Sequence, residues 1–461
     1  MKERAPGAHV SVVWLVLVLG GCSPTGFAPS AIAIEPGAMS IGVTEETDLA
    51  AVLTGGAPFG QGTVRWAVDP IELGTVDARG HFTAGPRSGT GSVTAALGTL
   101  SATAHVTVSC PTTRSVRDIS FNVWCTDSAD VYVEARIAGD DAAAVAALAE
   151  SDATAVQQDI GRTFRNRALV YVFADASSYI PGVRRIFGER TGAAAMETDA
   201  FFAPWVDAVA LDWREVSRDV PITGLRHELT HRLVWQITGS RTTPTEMDGL
   251  QKAPAPDVPA WLDEGLAHVE ESTLAGAGWM SVQDRTFAAT VSRNSQMSLS
   301  ELADLTKWNA RTGDGGFYQY LVAAETVRLL QADLGQKGVV AILERIRDGA
   351  TFRDAYRTVA GSSFEFFAAT VGQRIRASVT PYPGIAAAPR GKQSLLMLYG
   401  FTPRALVTFS VTGPAALVSV EHMDAYGNGL LILGSGYPAG SYSVGVVGGD
   451  GKVRPMYTFN K

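Results

Sequence analysis

The apolar residues of this chain change their spacing twice, and those two changes constrain the fold more than any other feature. From about Ala31 to Ser109, apolar and polar residues alternate in short runs, such as Gly62-Thr-Val-Arg-Trp-Ala-Val68 and Ala102-Thr-Ala-His-Val-Thr-Val-Ser109. Turn residues separate the runs about every ten positions, a spacing that predicts a β-sandwich. From about Asp130 the pattern shifts. Asp141 to Phe164 is Ala-rich with helical spacing, and Ala168-Leu-Val-Tyr-Val-Phe173 and Ala208-Val-Ala-Leu-Asp212 are compact strand-like runs. Ile222 to about Ala377 is mostly helical. A helix, two strands and then a long helical stretch predict an α+β unit with a helical lobe. After Thr380-Pro-Tyr-Pro383 short β-type runs return, among them Leu395-Leu-Met-Leu-Tyr399 and Ser441-Tyr-Ser-Val-Gly-Val-Val447. A chain of 461 residues exceeds one ordinary core, so a multidomain arrangement is expected.

The first residues read as a targeting segment. Lys2 and Arg4 precede Val10 to Leu19, a run apolar except for Ser11 that is too short to span a bilayer and right for a signal peptide. It ends in Leu19-Gly20-Gly21-Cys22, which is similar to a bacterial lipobox. That resemblance implies cleavage before Cys22 and lipidation of Cys22, an anchor without a spanning helix. Ser23 next to it fits sorting to an outer membrane, and Ser23 to Ser30, with two Pro and one Gly, reads as a tether. In an exported chain, Cys110 and Cys125 can close a short disulfide or stay separate thiols. The net charge of -8 is spread out and no basic patch is concentrated, which argues against nucleic acid as a partner. The stretch from Val64-Arg-Trp66 through Gly74 to Gly80, Phe82 to Gly85 and His105-Val-Thr-Val108 resembles a bacterial Ig-like domain of the group-2 kind, which implies that Trp66 packs the core. His81, His105 and His422 are expected to be structural.

The chemistry concentrates in His227-Glu228-Leu229-Thr230-His231. Leu225, Leu229, Leu233 and Ile237 lie at i, i+4 spacing along one helix face, with Gly239 placed to end the helix. Two histidines four apart point the same way from a helix, so both imidazoles can reach one ion, while Glu228 faces a neighbouring direction and can reach a water. Thirty-three positions after His231 comes Glu264, within Pro259-Ala-Trp-Leu-Asp-Glu-Gly-Leu-Ala267, where Pro259 suits the start of a second helix. Two His and one Glu leave a fourth position open, the layout of a catalytic zinc site.

The pair His-Glu-Leu-Thr-His and Trp-Leu-Asp-Glu-Gly-Leu-Ala resembles the gluzincin zinc metallopeptidases, and in particular the bacterial peptidase MA-like domain, over about Val131 to Ser378. The resemblance implies one Zn2+ held by His227, His231 and Glu264, with Glu228 as general base. The metzincin pattern would place Gly and His where Val234 and Ile237 stand. The family also places a Tyr on a later helix to stabilise the oxyanion. Tyr318-Gln-Tyr320 to Leu330 resembles that helix, and Tyr320 fits the position better than Tyr318. Asp263 is placed to orient a ligand histidine from outside the metal shell. Where thermolysin-like relatives carry an Asp four residues after the Glu ligand, this chain has His268, and Glu270 and Glu271 read as a solvated helix face.

The expected organisation is therefore a signal peptide over 1–21, a tether over 22–30, an Ig-like domain over 31–109, a connector over 110–130, a thermolysin-like zincin domain over 131–380 and a small β-sandwich over 385–461. The expected function is zinc-dependent hydrolysis of peptide bonds in a protein or peptide substrate, at the bacterial cell surface or in the periplasm. No Gly-x-Met-Glu-Asn segment precedes the motif, which favours an endopeptidase. Two alternatives stay open: a surface-binding or adhesion protein built on an inactive peptidase fold, and hydrolysis of a non-peptide amide such as a cell-wall bond.

Overall fold

The computed structural model describes residues 30–43, 45–54, 64–85, 87–188, 198–218, 221–238, 258–293, 297–380 and 382–461. Cys22 and the rest of residues 1–29, Gly239, and the segment 239–257 between the two motifs lie outside them. The chain divides into two compact units, Met1–Ser109 and Cys110–Lys461. Together they form a mixed, multidomain α+β protein.

The first unit is built of strands. β1 (Ala31–Glu35) pairs with β4 (Ala50–Thr54). β2 (Ala38–Gly42), β9 (Leu100–Ser109), β8 (Gly89–Leu97) and β5 (Arg65–Asp69) lie side by side in that order, and β3 (Glu46–Asp48), β7 (His81–Ala84) and β6 (Gly74–Val76) form a third sheet. The period-2 alternation read from the sequence is realised in β9, where Ala104, Val106 and Val108 turn inward. Phe82 is fully buried at the centre, whereas Trp66 is only half-buried.

In the second unit the Cys110–Cys125 disulfide joins the start of the unit to the end of β11, with Cα atoms 5.9 Å apart. A six-stranded sheet follows the order β10 (Thr113–Val116), β11 (Ile119–Cys125), β12 (Ala129–Glu134), β13 (Ala168–Phe173), β15 (Ala208–Asp212) and β14 (Ala200–Ala203). β12, β13 and β15 run parallel and are buried along their whole length, which is why β13 and β15 read as compact apolar runs. α1 (Gly139–Ile160) and α2 (Ala176–Phe187) lie in the β12–β13 and β13–β15 connections, and the short α3 (Trp213–Val216) follows β15. β14 runs antiparallel to β15 at the edge of the sheet.

The helical lobe comprises α4 (Gly224–Thr238), α5 (Ala260–Thr273), α6 (Gly278–Arg293), the short α7 (Leu299–Leu302) and α8 (Leu305–Asn309), the long α9 (Gly313–Arg347), α10 (Phe352–Ala360) and α11 (Phe364–Ala377). Leu225, Leu229, Leu233 and Ile237 of α4 point into the core as their spacing requires. α9 is broken at Gly335, whose φ of 68° and ψ of 166° no helix contains. Pro259 caps α5 from one position before its first residue. Two further sheets close the chain: β16 (Gly384–Arg390), β17 (Gln393–Tyr399) and β20 (Gly429–Leu433), and β19 (Leu417–His422), β18 (Leu406–Thr412), β21 (Ser441–Val447) and β22 (Val453–Asn460). They share a core through Leu396, Leu398, Phe409, Val411, Tyr442 and Val444. The other face of β17, with Leu395, Met397 and Tyr399, belongs to the core of the helical lobe.

Candidate metal centre

α4 and α5 bring three donors together. The Nε2 atoms of His227 and His231 are 3.0 Å apart, and Glu264 Oε2 lies 3.4 Å from the first and 3.3 Å from the second. His227, His231 and Glu264 are the group of His, Cys, Asp and Glu residues, among the described residues, whose ligand atoms converge as a metal ion requires. Donors bound to one tetrahedral ion at about 2.0–2.2 Å stand roughly 3.3–3.6 Å from one another, so the two Glu264 spacings fit the edges of one coordination face and the His227–His231 spacing of 3.0 Å is shorter than such an edge. The fit is to a cation held by nitrogen and oxygen and does not single out one metal.

Electrostatics point the same way. Burial works against a charged His227, but the carboxylates of Glu271 and Glu264 outweigh it and raise the ring to about 9. His231 is likewise buried, and Asp263 and Glu264 raise it well above its ordinary value. Glu264, although buried, is held well below the usual carboxylate range by His231 and His227. The surroundings therefore stabilise positive charge at the point where the three donors meet.

The remaining residues expected at the site fall around this point. Glu228 is buried, which raises its carboxyl group, and it accepts the backbone N–H of Phe202 from the edge strand β14. Asp263 Oδ1 is 3.1 Å from His231 Nδ1. Tyr320 packs beside the site, its ring centroid 6.4 Å from that of His227 and 5.1 Å from that of Trp308. Burial pushes its phenol up to about 12, so it stands as a neutral O–H donor. Tyr318 points elsewhere: its hydroxyl donates to Asp424, in the turn after β19, and its ring meets Tyr426 at 4.7 Å. Gly265 lets α5 and α9 meet closely, because a Cβ there would stand 2.7 Å from the Ala323 carbonyl oxygen and from a Val327 methyl group.

One expectation is corrected. Glu270 and Glu271 do not form a solvated face; their side chains are 5% and 12% exposed. Glu270 pairs with Arg226 at 3.0 Å, and burial raises it to about 7. Glu271 Oε1 lies 3.5 Å from His227 Nδ1, and its other oxygen lies 2.8 Å from His268 Nδ1. The sequence carried a signal for this, since Glu264, His268 and Glu271 stand at i, i+4 and i+7 on one helix stripe.

No family model matches the chain, and no curated protein matches it.

Proposed function

We propose that the protein is a zinc metallopeptidase of the gluzincin type, an endopeptidase carried on the cell envelope. The observation that carries this reading is the set of three donor atoms 3.0–3.4 Å apart with a buried general base one residue along the same helix. His227, His231 and Glu264 would hold the ion. Zinc bound there lowers the pKa of a water toward about 7 and polarises a carbonyl oxygen. Glu228 takes the proton of the attacking water and passes it to the leaving amine, a role suited to a carboxyl group whose affinity for protons burial has raised. Tyr320 supplies a neutral O–H donor beside the site for the developing oxyanion. Asp263 and the edge strand β14 border the same point, the one orienting His231 and the other holding Glu228 through the Phe202 N–H.

On this reading the six-stranded sheet and the helical lobe make up a thermolysin-like zincin, and the first unit is an Ig-like spacer. Cys22 carries the lipid that holds the chain at the bacterial envelope. A chelator should abolish hydrolysis of casein or a quenched peptide library, and zinc alone should restore it. Hydrolysis that persists in the metal-stripped protein contradicts the proposal.

A second reading, a surface-binding protein on an inactive peptidase fold, draws support from the exposed apolar residues Val418, Val420 and Ile432 of the last two sheets. One zinc per chain without turnover of any peptide or cell-wall fragment, together with tight binding to a surface polymer, would favour it.

A further inference from the structure

His227 meets a carboxylate on each side. Its Nε2 faces Glu264, and its Nδ1 faces Glu271, 3.5 Å away. Behind Glu271 a line of alternating charge runs through three helices. Glu271 Oε2 lies 2.8 Å from His268 Nδ1, His268 Nε2 lies 2.9 Å from Asp284 Oδ1 on α6, and Asp284 Oδ2 lies 2.8 Å from Arg328 Nη2 on α9. Arg328 also pairs with Glu325. Asp284 is wholly buried, and His268 and Glu271 are nearly so. Both ring nitrogens of His268 face carboxylate oxygens, so both carry protons and both donate. Burial disfavours that charged ring, but Asp284 and Glu271 outweigh it and raise His268 to about 10. Buried charges are costly unless paired, and each charge along this line faces one of opposite sign.

We propose that Glu271 is the positioning residue for the metal ligand His227, accepting its Nδ1–H so that Nε2 is the free donor, and that His268, Asp284 and Arg328 hold Glu271 in place. The proposal rests on the metal-site reading above. A carboxylate on the outer nitrogen fixes the tautomer and the ring plane and makes the inner nitrogen a stronger donor. Asp263, 3.1 Å from His231 Nδ1, stands in the matching relation to the other histidine. The two differ in their support, because Asp263 is 36% exposed on its side chain whereas Glu271 is built into the interior. The line also ties α5 to α9, the helix that carries Tyr320, two turns before Arg328.

The test is the zinc affinity of the full chain, measured by competition with a chromophoric chelator, for wild type, Glu271→Ala, Glu271→Gln, His268→Gln and Glu270→Gln. Wild type should bind one zinc. Glu271→Ala should bind it 10–100-fold more weakly, because outer-shell partners contribute on that scale. Glu271→Gln, which keeps an acceptor of the same shape without the charge, should lie between the two, as should His268→Gln. Glu270→Gln alters a neighbour even more deeply buried but paired to Arg226, and should bind as wild type does. The cobalt-substituted forms should show the visible spectrum of Glu271→Ala shifted from that of wild type, a change that mere loosening of α5 does not make. If Glu271→Ala fails to fold, Glu271→Gln carries the test alone. Wild-type affinity in both Glu271 variants overturns the proposal and leaves the metal site standing, as does an equal loss in Glu270→Gln. No zinc in wild type overturns the metal-site reading itself, and this proposal with it.

Discussion

Gly265 sits directly under Ala323, so close that the Cβ of any other residue would stand 2.7 Å from the Ala323 carbonyl oxygen. The residue after Glu264, one of the three converging donors, is thus also the contact that sets how near α9 approaches α5. Gly265→Ala should lower the stability of the second unit by about 1–3 kcal/mol, the usual cost of overpacking. It should also lower kcat, because Tyr320 lies three residues from Ala323. A thermal melt and steady-state kinetics on the same preparation check both effects.

Tyr320 and Tyr318 are two positions apart on α9, yet one faces the site and the other donates to Asp424. Tyr320→Phe should lower kcat by about 10²–10³-fold with zinc content unchanged, the typical loss of one oxyanion donor. Tyr318→Phe should keep kcat and cost about 1 kcal/mol of stability, one net hydrogen bond, since Asp424 keeps the N–H groups of Tyr426 and Asn428 at 2.8 and 2.9 Å. Equal losses in the two variants would contradict the assignment.

Asp152 on α1 is fully buried, and among the described residues neither of its oxygens has a hydrogen-bond partner. Burial raises it to about 7, although Arg226 pulls the other way. A carboxyl group raised above its unfolded value of 3.8 contributes stability below that pH and loses it as pH rises through about 7. Asp152→Asn removes that loss. The stability of the variant relative to wild type should therefore rise with pH between about 4 and 7, by up to about 1.4 kcal/mol per pH unit. Denaturant melts at pH 4, 5.5 and 7 measure it, and a difference independent of pH contradicts it.

Much of the site could be read from the sequence because its parts are local. His227 and His231 at i, i+4 and the Leu225–Ile237 stripe need only helical geometry, and β13 and β15 are apolar runs that only a buried strand explains. What was missed is non-local or too short for periodicity. β14 is four residues, Ala-Phe-Phe-Ala, with no alternation. Glu270 and Glu271 looked solvated because charged helix residues usually are, and the partners that let Glu271 be buried with His268, Asp284 and Arg328, stand 13 and 57 positions further on. Tyr320 was already favoured over Tyr318 by its place on the helix, but what holds Tyr318 away from the site, Asp424, stands 106 positions further on.

If Glu228 is the base of a zinc-dependent hydrolase, zinc content and peptide hydrolysis measured together for wild type and Glu228→Gln show it. One zinc per chain should be found in both proteins and hydrolysis in the wild type alone. Hydrolysis in Glu228→Gln equal to that of wild type, or no zinc in either protein, would contradict it.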